Sequence, residues 1–337
     1  MAINYIQSLL NYGEQLMKRC SLQVFFLLFA GLVILLLGGC ARDEDRGSSA
    51  AAGKGLPQVV TTTTMVSDLV GIIGGEDIRL VPLMGAGVDP HLFKMPARSA
   101  TDLKRADAVV YSGLELEGRI DETFEKMAAR GVTVRAVADV VPEDALILPE
   151  GAGVHPDPHI WGDVSLWAKA VPLVVDTLSE LVPEKAGIFR ARGDAYIVEL
   201  EKLHRWAGER LAEIPEGRRV LVTSHDAFNY FGRAYSVEVV ALQGVSTVDE
   251  ASLAGVTKLV DMVKERGVKA VFVETSVSDG PLRRVAKETG AAVGGVLFSD
   301  SMGTPGDIEE AGGESYDLGT YVGMVKHNVN AIVGGLR

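Results

Sequence analysis

The sequence predicts an α/β protein of two αβ lobes, each built on a parallel sheet, bridged by one long rigid helix. Three observations predict it. From Leu56 onward, short β-branched runs alternate with helical patterns, the mark of βαβ units. The alternation is broken once, between Pro183 and about Ile214, by a stretch with no internal proline. The chain has 337 residues, enough for two cores at roughly 100–200 residues per domain.

Each element follows from its local pattern. In the first half, strands are expected at Gln58–Thr63, Ile78–Met84, Ala108–Tyr111 and Val132–Ala136, with helices such as Thr64–Ile73 and Arg98–Arg105 between them. The second half repeats the style, with strands Arg219–Thr223, Glu238–Ala241, Ala270–Val273 and Ala292–Phe298. Its helices are Ser252–Arg266 and Gly280–Thr289. In the connector, Pro183 suits a first helical turn and Pro215-Glu216-Gly217 stops the helix. Ile197, Leu200, Leu203 and Leu211 recur there at helical spacing. About 30 helical residues span on the order of 45 Å, a length for a backbone between lobes rather than a loose hinge.

The first residues read as a targeting signal. Lys18 and Arg19 precede an apolar core, Val24 to Leu37, which ends in Leu37-Gly38-Gly39-Cys40. A cysteine directly after two glycines resembles a bacterial lipobox, with Cys40 as the lipidated mature N-terminus. Met17 makes a better start than Met1, because residues 1–16 carry one charge, Glu14, and add nothing to a signal. The expected organisation is therefore signal 1–39, lipidated tether 40–56, N-terminal lobe 57–182, linker helix 183–215 and C-terminal lobe 216–337. With Cys20 removed and Cys40 lipidated, the body has no thiol, which excludes a disulfide or thiolate metal site. Hydrophobic residues at 47% and charged residues at 23% exclude wholesale disorder. A net charge of −12 argues against a nucleic-acid partner, which would need a basic face.

The chemistry sits in four short segments: Asp89-Pro90-His91, Asp157-Pro158-His159, Thr223-Ser224-His225-Asp226 and Phe298-Ser299-Asp300-Ser301. The candidate ligands His91, His159, His225 and Asp300 lie 68, 66 and 75 residues apart. Such spacing excludes a zinc finger and suits a site where each ligand arrives from its own βα unit. His91, His225 and Asp300 follow predicted strands, where open α/β sheets bind ligands. Imidazoles plus one carboxylate suit zinc and tolerate manganese or iron. A lone strand-end histidine is more often a satisfied polar residue, and spacing alone leaves that alternative open. Glu274, Asp157 and Asp226 are candidates to hold a ligand imidazole by its second N–H. His155 reads as a solvated loop residue, His204 as surface and His327 as a packing or hydrogen-bonding residue.

These motifs resemble the metal-binding solute-binding lipoproteins of ABC importers for zinc, manganese or iron, the TroA-like group. The resemblance covers Gln58 to Leu336. It rests on Gly87-Val88-Asp89-Pro90-His91, Gly113-Leu114-Glu115-Leu116-Glu117, Asp157-Pro158-His159-Ile160-Trp161, Leu221 to Phe228, Ser299 to Gly303, and the ending Gly319 to Asn328. It implies metal buried between two lobes at His91, His159, His225 and Asp300, with one divalent ion (zinc or manganese, iron less so) carried as cargo. It also implies an ABC permease and its ATPase as partners, a membrane anchor through Cys40, a monomer on the outer side of the membrane, and no catalysis.

Two departures bear on the metal. The interval between the first two ligands holds only His155, where zinc-dedicated relatives often carry a His-rich loop. The third ligand position is His225, where many manganese-dedicated relatives have Glu. Asp307–Asp317 looks longer and more acidic than the usual loop and reads as a solvated insertion. Two other classes stand beside the carrier: a surface adhesin, whose adhesion would survive loss of the metal site, and a metallohydrolase, which would use Glu274 or Asp226 to activate water.

Overall fold

The computed structural model describes residues 55–149 and 155–337. The signal, the lipobox cysteine and the alternative start lie outside the described residues.

The first lobe runs β1 (Gln58–Thr61), α1 (Thr64–Gly74), β2 (Arg79–Pro82), α2 (Ala97–Lys104), β3 (Ala108–Tyr111), α3 (Asp121–Ala128), β4 (Thr133–Ala136) and α4 (Val164–Leu181). One 3-10 turn, Pro183–Lys185, leads into the connector α5 (Ala186–Leu211). The second lobe runs β5 (Val220–Thr223), α6 (Asn229–Tyr235), β6 (Glu238–Ala241), α7 (Leu253–Arg266), β7 (Ala270–Glu274), α8 (Gly280–Thr289) and β8 (Ala292–Leu297). A hairpin, β9 (Ile308–Ala311) and β10 (Glu314–Asp317), precedes the last helix, α9 (Tyr321–Leu336).

Both four-stranded sheets are parallel and share one order, β2-β1-β3-β4 and β6-β5-β7-β8. The central strands β1, β5 and β7 are buried on both faces, which is why they read as unbroken apolar runs. Strands lead into helices that start on a side-chain cap where one is available. Thr63 Oγ1 accepts from Val66 N at 3.4 Å at α1, and Ser252 Oγ accepts from Gly255 N at 3.0 Å at α7.

Three helices join the lobes into one core. Val171, Val174 and Leu178 on α4, Phe189, Leu200 and Leu203 on α5, and Val329, Ile332 and Val333 on α9 belong to a single buried cluster. Separate clusters cover the outer faces, around Val109 and Phe124 in the first lobe and Val271 and Leu282 in the second. The connector is also clamped by polar contacts. Arg192 donates to the carbonyls of Ile73 (3.0 Å) and Gly74 (2.9 Å) at the C-terminus of α1 and to Asp77 Oδ2 (2.9 Å). Its charge there also meets the negative end of the helix dipole.

Two features depart from the sequence expectation, and a third differs only in its bounds. Helix α4 was not foreseen, because Pro172 sits in its interior and deprives the Ala168 carbonyl of its partner. Burial of its apolar face, with Asp163 capping Ser165 N at 2.9 Å, outweighs that loss. The connector is the expected long helix with tighter bounds: a 3-10 turn precedes α5, which ends at Leu211, three residues short of Ile214. The acidic segment Asp307–Asp317 is not a solvated loop but an antiparallel hairpin turning at Gly312-Gly313, both with positive φ. It is fixed to α9: Tyr316 is buried, Asn330 Nδ2 donates to its hydroxyl at 3.1 Å, and His327 Nδ1 meets Glu309 Oε2 at 2.7 Å.

The turn from this hairpin into α9 demands glycine at one helical position. A Cβ on Gly323 would lie 1.8 Å from the Asp317 carbonyl oxygen. Gly323→Ala is expected to cost about 2 kcal/mol or more, as overpacking of a closed contact does. A thermal melt should show the midpoint falling by roughly 5 °C, and an unchanged midpoint would mean that the turn yields freely.

Candidate metal centre

His91, His159, His225 and Asp300 come together, with one donor atom from each lying within 4.8 Å of the others. His91 follows β2, and His159 enters from the segment between β4 and α4. His225 follows β5 and Asp300 follows β8. His225 and Asp300 are supplied by the second lobe, the other two by the first.

The closest donor pairs are even in length. His91 Nε2 lies 3.4 Å from His159 Nε2, His159 Nε2 lies 3.3 Å from Asp300 Oδ1, and His225 Nε2 lies 3.2 Å from Asp300 Oδ2. A tetrahedron of donors at zinc-like bond lengths of 2.0–2.1 Å has edges of about 3.4 Å. The cage therefore has the size of one transition-metal ion. Both carboxylate oxygens face an imidazole, so five donor atoms are on offer and the coordination number is not forced to four. His225 Nε2 and Asp300 Oδ1 are buried without a hydrogen-bond partner, as expected of atoms aimed at a shared cation.

Three of the four donors are held from behind. Asp157 Oδ1 accepts from His159 Nδ1 at 2.7 Å and from His159 N at 2.8 Å, which turns Nε2 toward the other donors. Glu274, at the end of β7, does the same for His225: Oε2 takes Nδ1 and Oε1 takes the backbone N–H at 2.9 Å. β5 and β7 are neighbours, so this contact arises from the sheet order itself. Asp300 is placed through its backbone. Trp161 Nε1 donates to Ser299 O at 2.9 Å, while Asn328 on α9 accepts from Phe298 N at 2.9 Å and donates to Phe298 O at 2.7 Å. Asn328 thus pairs with the chain beyond β8 as another strand would, a role with no signal in the sequence.

The third candidate, Asp226, behaves differently. Its carboxylate makes no hydrogen bond to any of the four donors and lies on the wall of a cleft of about 470 Å³, lined also by His91, Glu115 and His155. Neighbouring His225 in the chain does not bring its side chain to the ring, because the backbone turns there and Asp226 N bonds Gly244 O at 3.2 Å. His155 pairs with Glu115 Oε2 at 3.1 Å on the same wall, with both side chains largely exposed. His204 is less exposed than expected, its Nδ1 lying 3.1 Å from Tyr235 Oη.

The buried charges shape the proton affinities. Burial pulls the His159 imidazole down, but Asp157 and Asp300 outweigh it and raise it to about 9. At His225, burial is likewise outweighed by Asp300 and Glu274, and the imidazole is held well above its usual range. Burial raises Asp300, yet His225 and His159 overcome it and keep the carboxylate well below its ordinary value. His91 lacks such support, and burial lowers it to about 4.

Four protein donors converging at the meeting of two rigidly joined lobes are the donor set of a metal-binding protein. The chain belongs to the family described as zinc-uptake complex component A, periplasmic, whose model matches residues 59–335. That family is a solute-binding transport component and not an enzyme. The chain is 40% identical over 309 residues to the manganese-binding lipoprotein MntA of Bacillus subtilis, covering 89% of this chain and 95% of that one. It is 42% identical over 295 residues to the zinc-binding protein TroA of Treponema pallidum, covering 86% and 92%. The solved periplasmic zinc-binding protein TroA from Treponema pallidum superimposes with a TM-score of 0.77 at 40% identity, covering 84% of this chain and 99% of that chain.

The raised His159 value fixes the sign of one pH effect. Its folded value of about 9 lies above the ~6.5 of an unfolded histidine. Its stabilising contribution is therefore complete below that unfolded value and is lost as pH climbs through the folded one. The unfolding midpoint of chelator-treated protein is expected to fall between about pH 7.5 and 9, and a midpoint that rises over this window would contradict the charge arrangement.

Proposed function

We propose that the chain is the extracytoplasmic, lipid-anchored solute-binding component of an ABC importer. It captures one divalent transition-metal ion, manganese or zinc, at His91, His159, His225 and Asp300 and delivers it to the membrane permease. The convergence of these four donors on one ion-sized cage carries the reading. Cys40 holds the chain to the membrane through lipid, and residues 40–56 form the tether.

The ion replaces protons. The carboxylates around His159 and His225 favour a second proton on each ring, and each ring must shed the one on Nε2 to bind metal. Two protons leave as one divalent cation enters, so the buried centre keeps its net charge. Relatives named for zinc and for manganese fit the same logic, since five facing donor atoms suit either ion.

Elemental analysis of the full chain, purified in detergent from cells grown with balanced zinc, manganese and iron, is expected to find about one ion per chain. His225→Ala should lose it. Retention of metal by that variant would sink the assigned site. Glu274→Gln should weaken binding about 10–100-fold, the cost of removing a partner behind a ligand imidazole. Titration calorimetry in buffers of different ionisation enthalpy should report close to two protons released per ion near neutral pH, and no proton release would contradict the exchange. Loss of Cys40 by substitution should free the chain from the membrane fraction.

A further inference from the structure

His91 differs from the other three donors in what holds it. His159, His225 and Asp300 are sealed from solvent, and Asp157 and Glu274 grip the rings of the two histidines. His91 is partly exposed and lines the cleft, and among the described residues no carboxylate hydrogen-bonds its ring from behind. Its segment between β2 and α2 has no regular structure to keep it in place.

That segment is instead fastened across the cleft at two points. Asp89 Oδ1 accepts from His91 N at 2.8 Å, and Asp89 Oδ2 accepts from Thr247 Oγ1 of the second lobe at 2.6 Å. Two residues earlier, Gly87 N donates to Ser301 Oγ at 2.9 Å. Thr247 and Ser301 are both buried. A hydroxyl donating to a carboxylate at that distance is a charge-assisted bond, among the stronger ones a protein makes.

The far ends of both bonds belong to the segments of the other lobe's donors. Ser301 directly follows Asp300. The loop of Thr247 is stitched to the His225 segment by Gln243 N to Ser224 O at 2.9 Å and by Asp226 N to Gly244 O at 3.2 Å. The comparison with the second Asp-Pro-His turn is instructive. Asp157 also reaches across, from Oδ2 to Asn229 Nδ2 at 3.0 Å, but it holds its own ring as well. Asp89 holds only the backbone of His91, so the ring's place over the centre depends on the bonds across the cleft.

We propose that Asp89, Thr247 and Ser301 form a clasp that positions His91 over the metal centre and sets how long the ion stays bound. They are positioning residues and not ligands, and the inference rests on the metal-binding reading above. With three donors sealed, the cleft side of His91 is the way out, and a ring freed to swing aside opens it.

The test is metal release. Zinc is loaded onto the full chain in detergent, and its escape into excess chelator is followed by stopped flow. Thr247→Val keeps the side chain's shape and removes the hydroxyl, and should release zinc about tenfold faster, the scale of one hydrogen bond to a charged group. Thr247→Ser should restore slow release, which a defect of packing would not predict. Ser301→Ala should also speed release, whereas Thr257→Val, on the exposed face of α7, should leave it unchanged. Wild-type release from Thr247→Val, or failure of Thr247→Ser to rescue it, overturns the clasp; if Thr247→Val does not fold, wild-type release from Ser301→Ala does so. Failure of the wild-type chain to take up zinc overturns the metal-binding reading instead.

Discussion

Three buried carboxylates, Asp157, Glu274 and Asp300, stand around two buried imidazoles, and the rest of the molecule is arranged to make that tolerable. Charge of one sign in a dry interior is costly unless it is paired and hydrogen-bonded. A second proton on each of His159 and His225, or in the proposed role one divalent cation in their place, offsets it. The sheet order sets Glu274 beside His225, the turn at Asp157 folds back on His159, and Asn328 and Trp161 fix the strand end that carries Asp300. Each of these supports leaves a nitrogen or oxygen pointing inward with nothing else to bind.

The two lobes contribute two donors each, by different means. The second lobe offers His225 at the switch between β5 and its neighbours, where an open α/β sheet is predisposed to hold a ligand, and Asp300 beyond the end of β8. The first lobe contributes two Asp-Pro-His turns from irregular segments. In both, proline removes a backbone donor and fixes φ, and the aspartate two residues before the histidine takes the histidine's own N–H. The same three residues thus build a rigid support in one place and a dependent one in the other, according to what else the carboxylate reaches.

Much of this was legible in the sequence, for physical reasons. Fully buried parallel strands such as Val220–Thr223 and Ala270–Glu274 announce themselves as apolar runs between turn residues, and the donors follow at their ends. Glu274 could be suspected because it closes a strand beside one that ends near His225. Asp226 shared the chemistry but not the geometry, since adjacency in the chain says little about where a side chain points after a turn. Helix α4 was hidden by Pro172, whose local cost is overridden by burial that only the folded chain supplies. The hairpin was hidden because its strands are short and mostly exposed, and the contacts that fix it, Asn330 to Tyr316 and His327 to Glu309, come from a helix that follows it. The bonds from Asp89 and Gly87 to the second lobe join residues 158 and 214 positions apart, beyond the reach of any local pattern.

The hydrophobic cluster that runs unbroken through α4, α5 and α9 has a consequence for signalling. A receptor whose halves share one interior cannot report occupancy by a wide change of outline. If the cation replaces two protons, as proposed, it cannot report occupancy by a change of far field either. A transporter that must avoid spending ATP on empty receptors is left with a narrow channel of information: the posture of a few loops around the cleft, read at contact range.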